Sequence, residues 1–355
     1  MAEPISGAPE LIGAPELTGA PQVICLGEAL VDRLGPPGGD PATAAPEQRD
    51  DRLGGAPANV ACGLARLGTP VAFAGRLGCD AIGATFVRLL EQRGVELSAL
   101  QRDPERPTRI VLVRRDAAGD RRFGGFAGDR GQGYADQALA AEPLEHALAP
   151  LLAGARWLQI GSIPLASPSS ARALSGAVEL ARIHAVAVAL DVNWRPTFWD
   201  PAADPASGPT AAQIAAMEPL LQQAALLKCA AEEARWLFGS ADPVAVSAAL
   251  PQRPGVVVSD GGAPLRWCLQ GRSGEQPAFP VPVVDTTGAG DAFMAGLLHG
   301  LCGPPQPVEA LLRFAAACGA LVCQGAGAID PQPGAAEVRA FLAAREGMAC
   351  PPGLS

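Results

Sequence analysis

The chain has 355 residues, 48% of them hydrophobic and only 5% aromatic, which suits one large α/β domain or two ordinary ones and argues against wholesale disorder. Its 27 basic and 36 acidic side chains leave a net charge of −9, a poor footprint for nucleic acid or anionic membrane. Nine cysteines lie scattered without a Cys-x-x-Cys pair, so no zinc site or disulfide framework is expected and a reducing cytoplasm fits.

Residues 1–22 read as a short repeat, GAPEL–IGAPEL–TGAPQ, with no Lys or Arg before Arg33. A disordered tail is expected there, with neither a secretory signal nor a transit peptide. No run of 18 apolar residues marks a membrane span. The fold is expected to begin at Val23 with the buried strand VICLGE. A Pro-rich excursion over 35–51 follows, and then the helix APANVACGLARLG, with Pro57 in its first turn and Gly68 at its end. AIGATFVRLLEQRG (81–94) is a second helix that closes on Gly94. TRIVLVRRDAAGDRRF (108–123) reads as two short strands around a Gly-containing turn. WLQIGS, AVAVALDVN and VVVSDGG are further buried strands, and a last apolar strand ends at Asp285. Helices are predicted at 168–184, 231–238, 289–301, 307–323 and 335–345. The alternation points to right-handed βαβ units with helices on both faces of a parallel sheet. Residues 346–355 form a C-terminal tail.

VVDTTGAGDAFMAGLLHGL (283–301) carries the sharpest chemistry. A Gly-rich turn (Gly288, Ala289, Gly290) opens a helix, where backbone N–H groups without intrahelical acceptors attract anions. Asp291 lies in that first turn, where the helix dipole is expected to keep it ionised. A carboxylate beside an anion cradle suits phosphoryl transfer, although a bare acidic cap at an ordinary helix start reads the same way. Near the N-terminus, Gly54 and Gly55 let backbone approach a ligand closely. Asn59 offers donors and an acceptor, and Asp32 can accept from two hydroxyls. Asp80 reads as a helix cap in preference to a substrate contact. DVNWRPTFW places Asp191, Asn193 and Arg195 at the end of a central strand, where open α/β sheets bind ligands. Arg195 is read as an anion or substrate clamp, or alternatively as half of an Asp–Arg pair that stabilises its loop. His299, deep in its helix, is read as a packed or surface histidine.

DTTGAGDAF resembles the C-terminal signature of the PfkB (ribokinase-like) carbohydrate kinases, and GGAPANVACGLARLG (54–68) resembles their N-terminal signature. The order and spacing of the two match as well, over Val23 to about residue 345. The resemblance implies a three-layer α/β/α sandwich with a mostly parallel sheet and a small β-lid built from segments near 33–53 and 104–130. It implies ATP-dependent phosphorylation of a sugar, with Asp291 as base and Gly288–Gly290 as anion hole. Asp32, Gly54, Gly55, Asn59 and Arg195 would hold the sugar. Asn193, Lys228, Ser259 and Gly261, with Gly288 and Gly290, would hold ATP. Glu233 would reach Mg2+ through water, with Ala230 standing where the family carries Asn, and Pro264 replaces a second glycine after Gly261. Asp285 would serve a monovalent cation such as K+. IGSIPLASPSSARAL and DVNWRPTFW resemble the fructokinase branch, which implies fructose as acceptor. 2-Keto-3-deoxygluconate, ribose or another ketose is the alternative, as is a non-catalytic regulatory protein of the same fold. A homodimer through the lid is a further implication.

Overall fold

The computed structural model describes residues 19–115 and 121–346, so most of the tail read over 1–22, the centre of the 108–123 turn and all but the first residue of the 346–355 tail lie outside the described residues. In chain order the strands are β1 (Val23–Leu26), β2 (Leu30–Leu34), β3 (Asp50–Gly54), β4 (Val71–Gly78), β5 (Leu100–Asp103), β6 (Ile110–Arg115) and β7 (Arg121–Ala127). They continue with β8 (Trp157–Gly161), β9 (Ala187–Asp191), β10 (Ala224–Ala230), β11 (Gly255–Ser259), β12 (Leu265–Leu269) and β13 (Arg272–Gln276). Nine of them form one sheet in the order β13-β12-β11-β10-β9-β8-β1-β4-β5. All neighbours from β5 across to β11 are parallel, and β12 and β13 close one edge as an antiparallel hairpin.

Side-chain alternation along the strands creates the three layers. Val23 and Cys25 of β1 join one core and Ile24 and Leu26 the other; Val71 and Phe73 of β4 divide from Ala72 and Ala74 in the same way. Helices Ala56–Leu67, Ala289–Cys302 and Val308–Val322 cover the first face, and Ala141–Leu152, Pro168–Ile183 and Ala211–Gln223 cover the second. Small residues bring the first group together. A Cβ on Gly63 would stand 2.8 Å from Ala295 Cβ, and one on Gly296 would stand 2.8 Å from Cys318 Sγ. That close approach fixes the helix of Asn59 against the helix of Asp291.

The second sheet, β3-β2-β6-β7, stands over the carboxyl end of β1. β6 and β7 pair antiparallel, as the hairpin reading anticipates, and the 35–51 excursion returns as β3 beside β2. The predicted helices appear within about two residues of their expected bounds, and Gly68 ends the first one in the left-handed conformation, φ +92°. One predicted strand is absent. Residues 281–285 pair with no strand; Val283 and Val284 are 62% and 64% exposed. Pro280 and Pro282 deprive that segment of donors, and its Val284 and Asp285 amides bond instead to the Cys323 carbonyl, beyond the end of a helix. Among the described residues no helix is long and apolar enough to cross a membrane, and eight cysteines are free thiols.

Candidate active site

The chain leaves β1 toward β4 on one side of the large sheet and later fills the other side from β8 onward. Between β1 and β8 the strand order therefore reverses, and the carboxyl ends of the strands open a crevice. A cleft of about 560 Å3 occupies this place. The second sheet supplies one wall: Leu30, Asp32 and Leu34 from β2 and Val111 and Val113 from β6 are alternate residues on one face.

Asp291 sits at the floor as the third residue of its helix. Gly288 precedes that helix at φ +78°, and a Cβ there would lie 2.5 Å from Ala328 Cβ, so only glycine fits both the conformation and the contact. Asn59 Nδ2 donates to Asp291 Oδ2 at 2.7 Å. Burial pushes the Asp291 carboxyl up to about 6 against the pull of that bond; the Asp191 charge adds to the push, and Lys228 and Arg195 oppose it. Desolvation thus works against the helix dipole. The result is a carboxylate that is mostly ionised at neutral pH yet able to accept a proton.

Beside it, Lys228 Nζ contacts Asp191 Oδ2 at 2.7 Å, both side chains being buried. The two residues are direct partners in the β9–β10 register, so the ladder itself sets the pair. Burial works against the lysine charge, but Asp191, then Asp291 and Glu233, outweigh it and hold its pKa above the ordinary value. The Asp–Arg loop pair considered from sequence does not form: Arg195 is exposed, and its Nη1 bonds the Trp194 carbonyl at 2.9 Å. A Cβ on Gly290 would stand 3.2 Å from Lys228 Nζ, so the glycine turn and the ammonium face one point.

Asn193 adopts φ +43°, a conformation that costs a non-glycine residue free energy unless its surroundings hold it. They do so here: Val192 N bonds Lys228 O at 3.0 Å, and Trp194 N bonds Glu233 Oε1 at 2.7 Å. The other Glu233 oxygen takes the Ala230 N–H at 2.7 Å. Burial, and then Asp191, raise the Glu233 pKa despite those bonds. Asp285 lies below the glycine turn and accepts from Thr287 N, Thr287 Oγ1 and Gly327 N.

A carboxylate at a glycine-rich helix start, a buried ammonium facing the same point and a cleft of about 560 Å3 beside them are the parts a sugar phosphotransferase needs. The profile of the pfkB family carbohydrate kinases matches residues 20–335. The chain belongs to the pfkB family of carbohydrate kinases. Fructokinase of Klebsiella pneumoniae is 35% identical over 316 residues, which cover 87% of this chain and 95% of that protein. Fructokinase of Salmonella typhimurium is 33% identical over 323 residues, covering 88% and 96%. Among solved structures, fructokinase with bound ATP from Xylella fastidiosa matches with a TM-score of 0.76 at 28% identity, over 91% of this chain and 98% of that one. Fructokinase from Vibrio cholerae O395 in its fructose, ADP and calcium ion bound form matches with a TM-score of 0.73 at 27% identity, covering 91% and 99%. The protein is an ATP-dependent carbohydrate kinase of the ribokinase-like fold.

In this pfkB kinase, Asp32, Gly55, Asn59, Asn193, Arg195, Lys228, Glu233, Ser259, Gly288, Gly290 and Asp291 all border the one cleft. Gly54, Gly261, Ala289 and Asp285 do not line it. A Cβ on Gly54 would approach Asp32 Oδ2 to 3.2 Å, so that glycine makes room for the aspartate. Gly261 stands in open space at φ +55°. Asp80 caps its helix, accepting from Gly83 N at 2.7 Å, and His299 is packed, bonded to Thr69 Oγ1 and stacked on Phe314. Glu28, Phe123, Thr197 and Pro205 also border the cleft and were missed. Of these, only Glu28 had a sequence signal: a buried-strand run ending in Gly-Glu.

Proposed function

We propose that this kinase transfers the γ-phosphoryl group of ATP to D-fructose, giving D-fructose 6-phosphate, with Asp291 as the base. The observation that carries the reading is the Asp291 carboxyl itself, hydrogen-bonded by Asn59 and facing the same point as the Gly288–Gly290 turn and Lys228. Asp291 takes the proton of the attacking hydroxyl as the bond to phosphorus forms. The N–H groups of Gly288, Ala289 and Gly290, helped by Lys228, receive the charge of the transferring group. Asp32, Gly55 and Arg195 grip the sugar, with Asn59 orienting the base. Asn193, Ser259 and Gly261 adjoin the nucleotide. The second sheet acts as a lid that excludes water, so that the sugar rather than water is phosphorylated.

Among the described residues no group of three or more His, Cys, Asp or Glu could hold a metal ion. Mg2+ would arrive on the nucleotide and reach Glu233 through water, and would supply neutralisation of the phosphate charge. Asp285, with carbonyls of the 324–329 loop, is the place for K+. Fructose is supported by the fructokinase names of the relatives. A reducing cytoplasm and a homodimer through the second sheet belong to the same reading.

A coupled assay for ADP release over fructose, ribose, glucose, mannose, 2-keto-3-deoxygluconate and adenosine, with Mg2+ and K+ present, tests it. A clear preference for fructose is expected. Preference for another sugar refutes the acceptor and keeps the mechanism; MgATP binding with no turnover on any of them refutes both and favours a regulatory protein.

A further inference from the structure

Glu28 has no part in the chemistry above, yet it is built into the acceptor end of the cleft. It follows β1 at the switch point and is 3% exposed. Its Oε1 accepts the Ala56 N–H at 3.1 Å, the first amide of the helix that carries Asn59. Its own carbonyl is the atom that a Cβ on Gly55 would strike, at 2.6 Å, in a residue already at φ +102°. Side chain and backbone of Glu28 thus grip the Gly54–Ala56 turn from two sides. Three residues on, Asn59 is bonded to Asp291.

The second carboxyl oxygen is unusual. Oε2 is buried and has no hydrogen-bond partner among the described residues. The charged groups around it come from several elements. Asp291 and Asp136 both repel its negative charge. Arg76 and Arg109 share with it a small cavity of about 10 Å3, roughly the room of one water. Both arginines are already committed: Arg76 to Asp103 at 2.9 Å, and Arg109 to Asp136 by two bonds of 2.8 and 3.1 Å. No cation is bonded to Glu28 among the described residues.

We propose that Glu28 is a positioning residue for phosphoryl transfer: through the Ala56 amide it sets the Gly54–Ala56 turn against the acceptor and, through Asn59, the orientation of Asp291. It does this as the uncharged acid. Burial first, and then Asp136 and Asp291, push its carboxyl up to about 8, in spite of the bonds it accepts from backbone. Above that pH a second, uncompensated negative charge appears next to the base and beside the path of an anionic phosphoryl group, and the turn loses its fixed geometry.

This rests on the kinase reading, and the experiment separates the two. Wild type, Glu28→Gln and Glu28→Ala are compared for kcat and KM with fructose and with ATP between pH 5.5 and 9.5, and for fructose binding by calorimetry over the same range. Glu28→Gln keeps an acceptor for the Ala56 amide and cannot ionise. It is expected to match wild type within about two-fold at pH 7 and to lack the decline expected of wild type around pH 8. Glu28→Ala is expected to raise the fructose KM at least ten-fold with the ATP KM unchanged. A Gln variant that keeps the alkaline decline, or an Ala variant that shifts both KM values alike or neither, overturns the proposal. If wild type turns over no sugar, the kinase reading fails separately. Calorimetry then decides for Glu28: fructose binding that is lost near pH 8 in wild type but not in Glu28→Gln supports it, and any other pattern overturns it.

Discussion

Replacing Asn59 with Ala removes the side-chain donor that, among the described residues, bonds the Asp291 carboxylate at 2.7 Å. A hydrogen bond to a charged group contributes about 1.5–3 kcal/mol, and one pK unit corresponds to about 1.4 kcal/mol. Without that bond the Asp291 carboxyl, already raised by burial to about 6, should rise by roughly one to two further units. The ionised fraction at pH 7 would then fall from about nine-tenths to between roughly one-half and one-tenth. The acid limb of kcat, measured with saturating sugar and ATP in a Glu28→Gln background that lacks the alkaline decline, should move from near pH 6 toward pH 7–8 while the plateau at high pH stays within a few-fold. Saturation matters, because loss of Asn59 is also expected to loosen the proposed acceptor site and raise KM. An acid limb unmoved in Asn59→Ala, with the protein folded, would refute both the assignment of Asp291 as base and the role of Asn59 in tuning it.

Asp291→Asn should lower kcat by at least a thousand-fold and stabilise the fold by about 1–3 kcal/mol at pH 7 in urea titrations, because it removes a buried carboxylate. The sign follows from linkage: a carboxyl raised from 3.8 to about 6 in the folded state costs stability progressively as pH climbs through that interval, and Asn carries no such cost. Lys228→Met leaves Asp191 buried without its cation and should cost about 3–5 kcal/mol in the same titrations, with a raised KM for ATP. Gly288→Ala forces a side chain into a left-handed turn and against Ala328; a drop in kcat of at least ten-fold, with secondary structure by circular dichroism unchanged, is expected.

Much of the site is legible in the sequence because it rests on backbone. Gly288, Gly55 and Gly68 are conformational requirements that no other residue meets equally well, and they stand at the ends of helices whose apolar period is clear. Side-chain partnerships are less visible. Asp191 and Arg195 lie four residues apart, but the register of β9 and β10 gives Asp191 to Lys228, 37 positions away. Asn59 reads as a sugar ligand because an amide suits a polyol; only the packing of two distant helices turns it toward Asp291. Strand content was underestimated where glycine and arginine interrupt the apolar run, as in Val71–Gly78, which is nevertheless almost wholly buried. Helices Ala141–Leu152 and Ala211–Gln223 were hidden by internal prolines, Pro150 and Pro219. The opposite error came from Val283 and Val284, whose β-branched pair suggests a strand that the flanking prolines forbid.

The partners Asn59 and Asp291 are separated by 232 residues, and Gln332, which bonds the Asn59 carbonyl, follows it by 273. A ribosome adding 5–20 residues per second takes about 10–50 s to cover the first of these distances. Through that interval β1 and β4 can pair, but the β1 edge that belongs to β8 stays open until Gly161 has emerged, and the helix of Asn59 has no helix 289–302 to lie against. An unpaired strand edge and an uncovered apolar helix face are aggregation-prone features of a partly made chain. On the proposed assignment, phosphoryl-transfer competence therefore arrives late and all at once, and a chain cut short before the helix Ala289–Cys302 would carry the residues proposed for the sugar with no base.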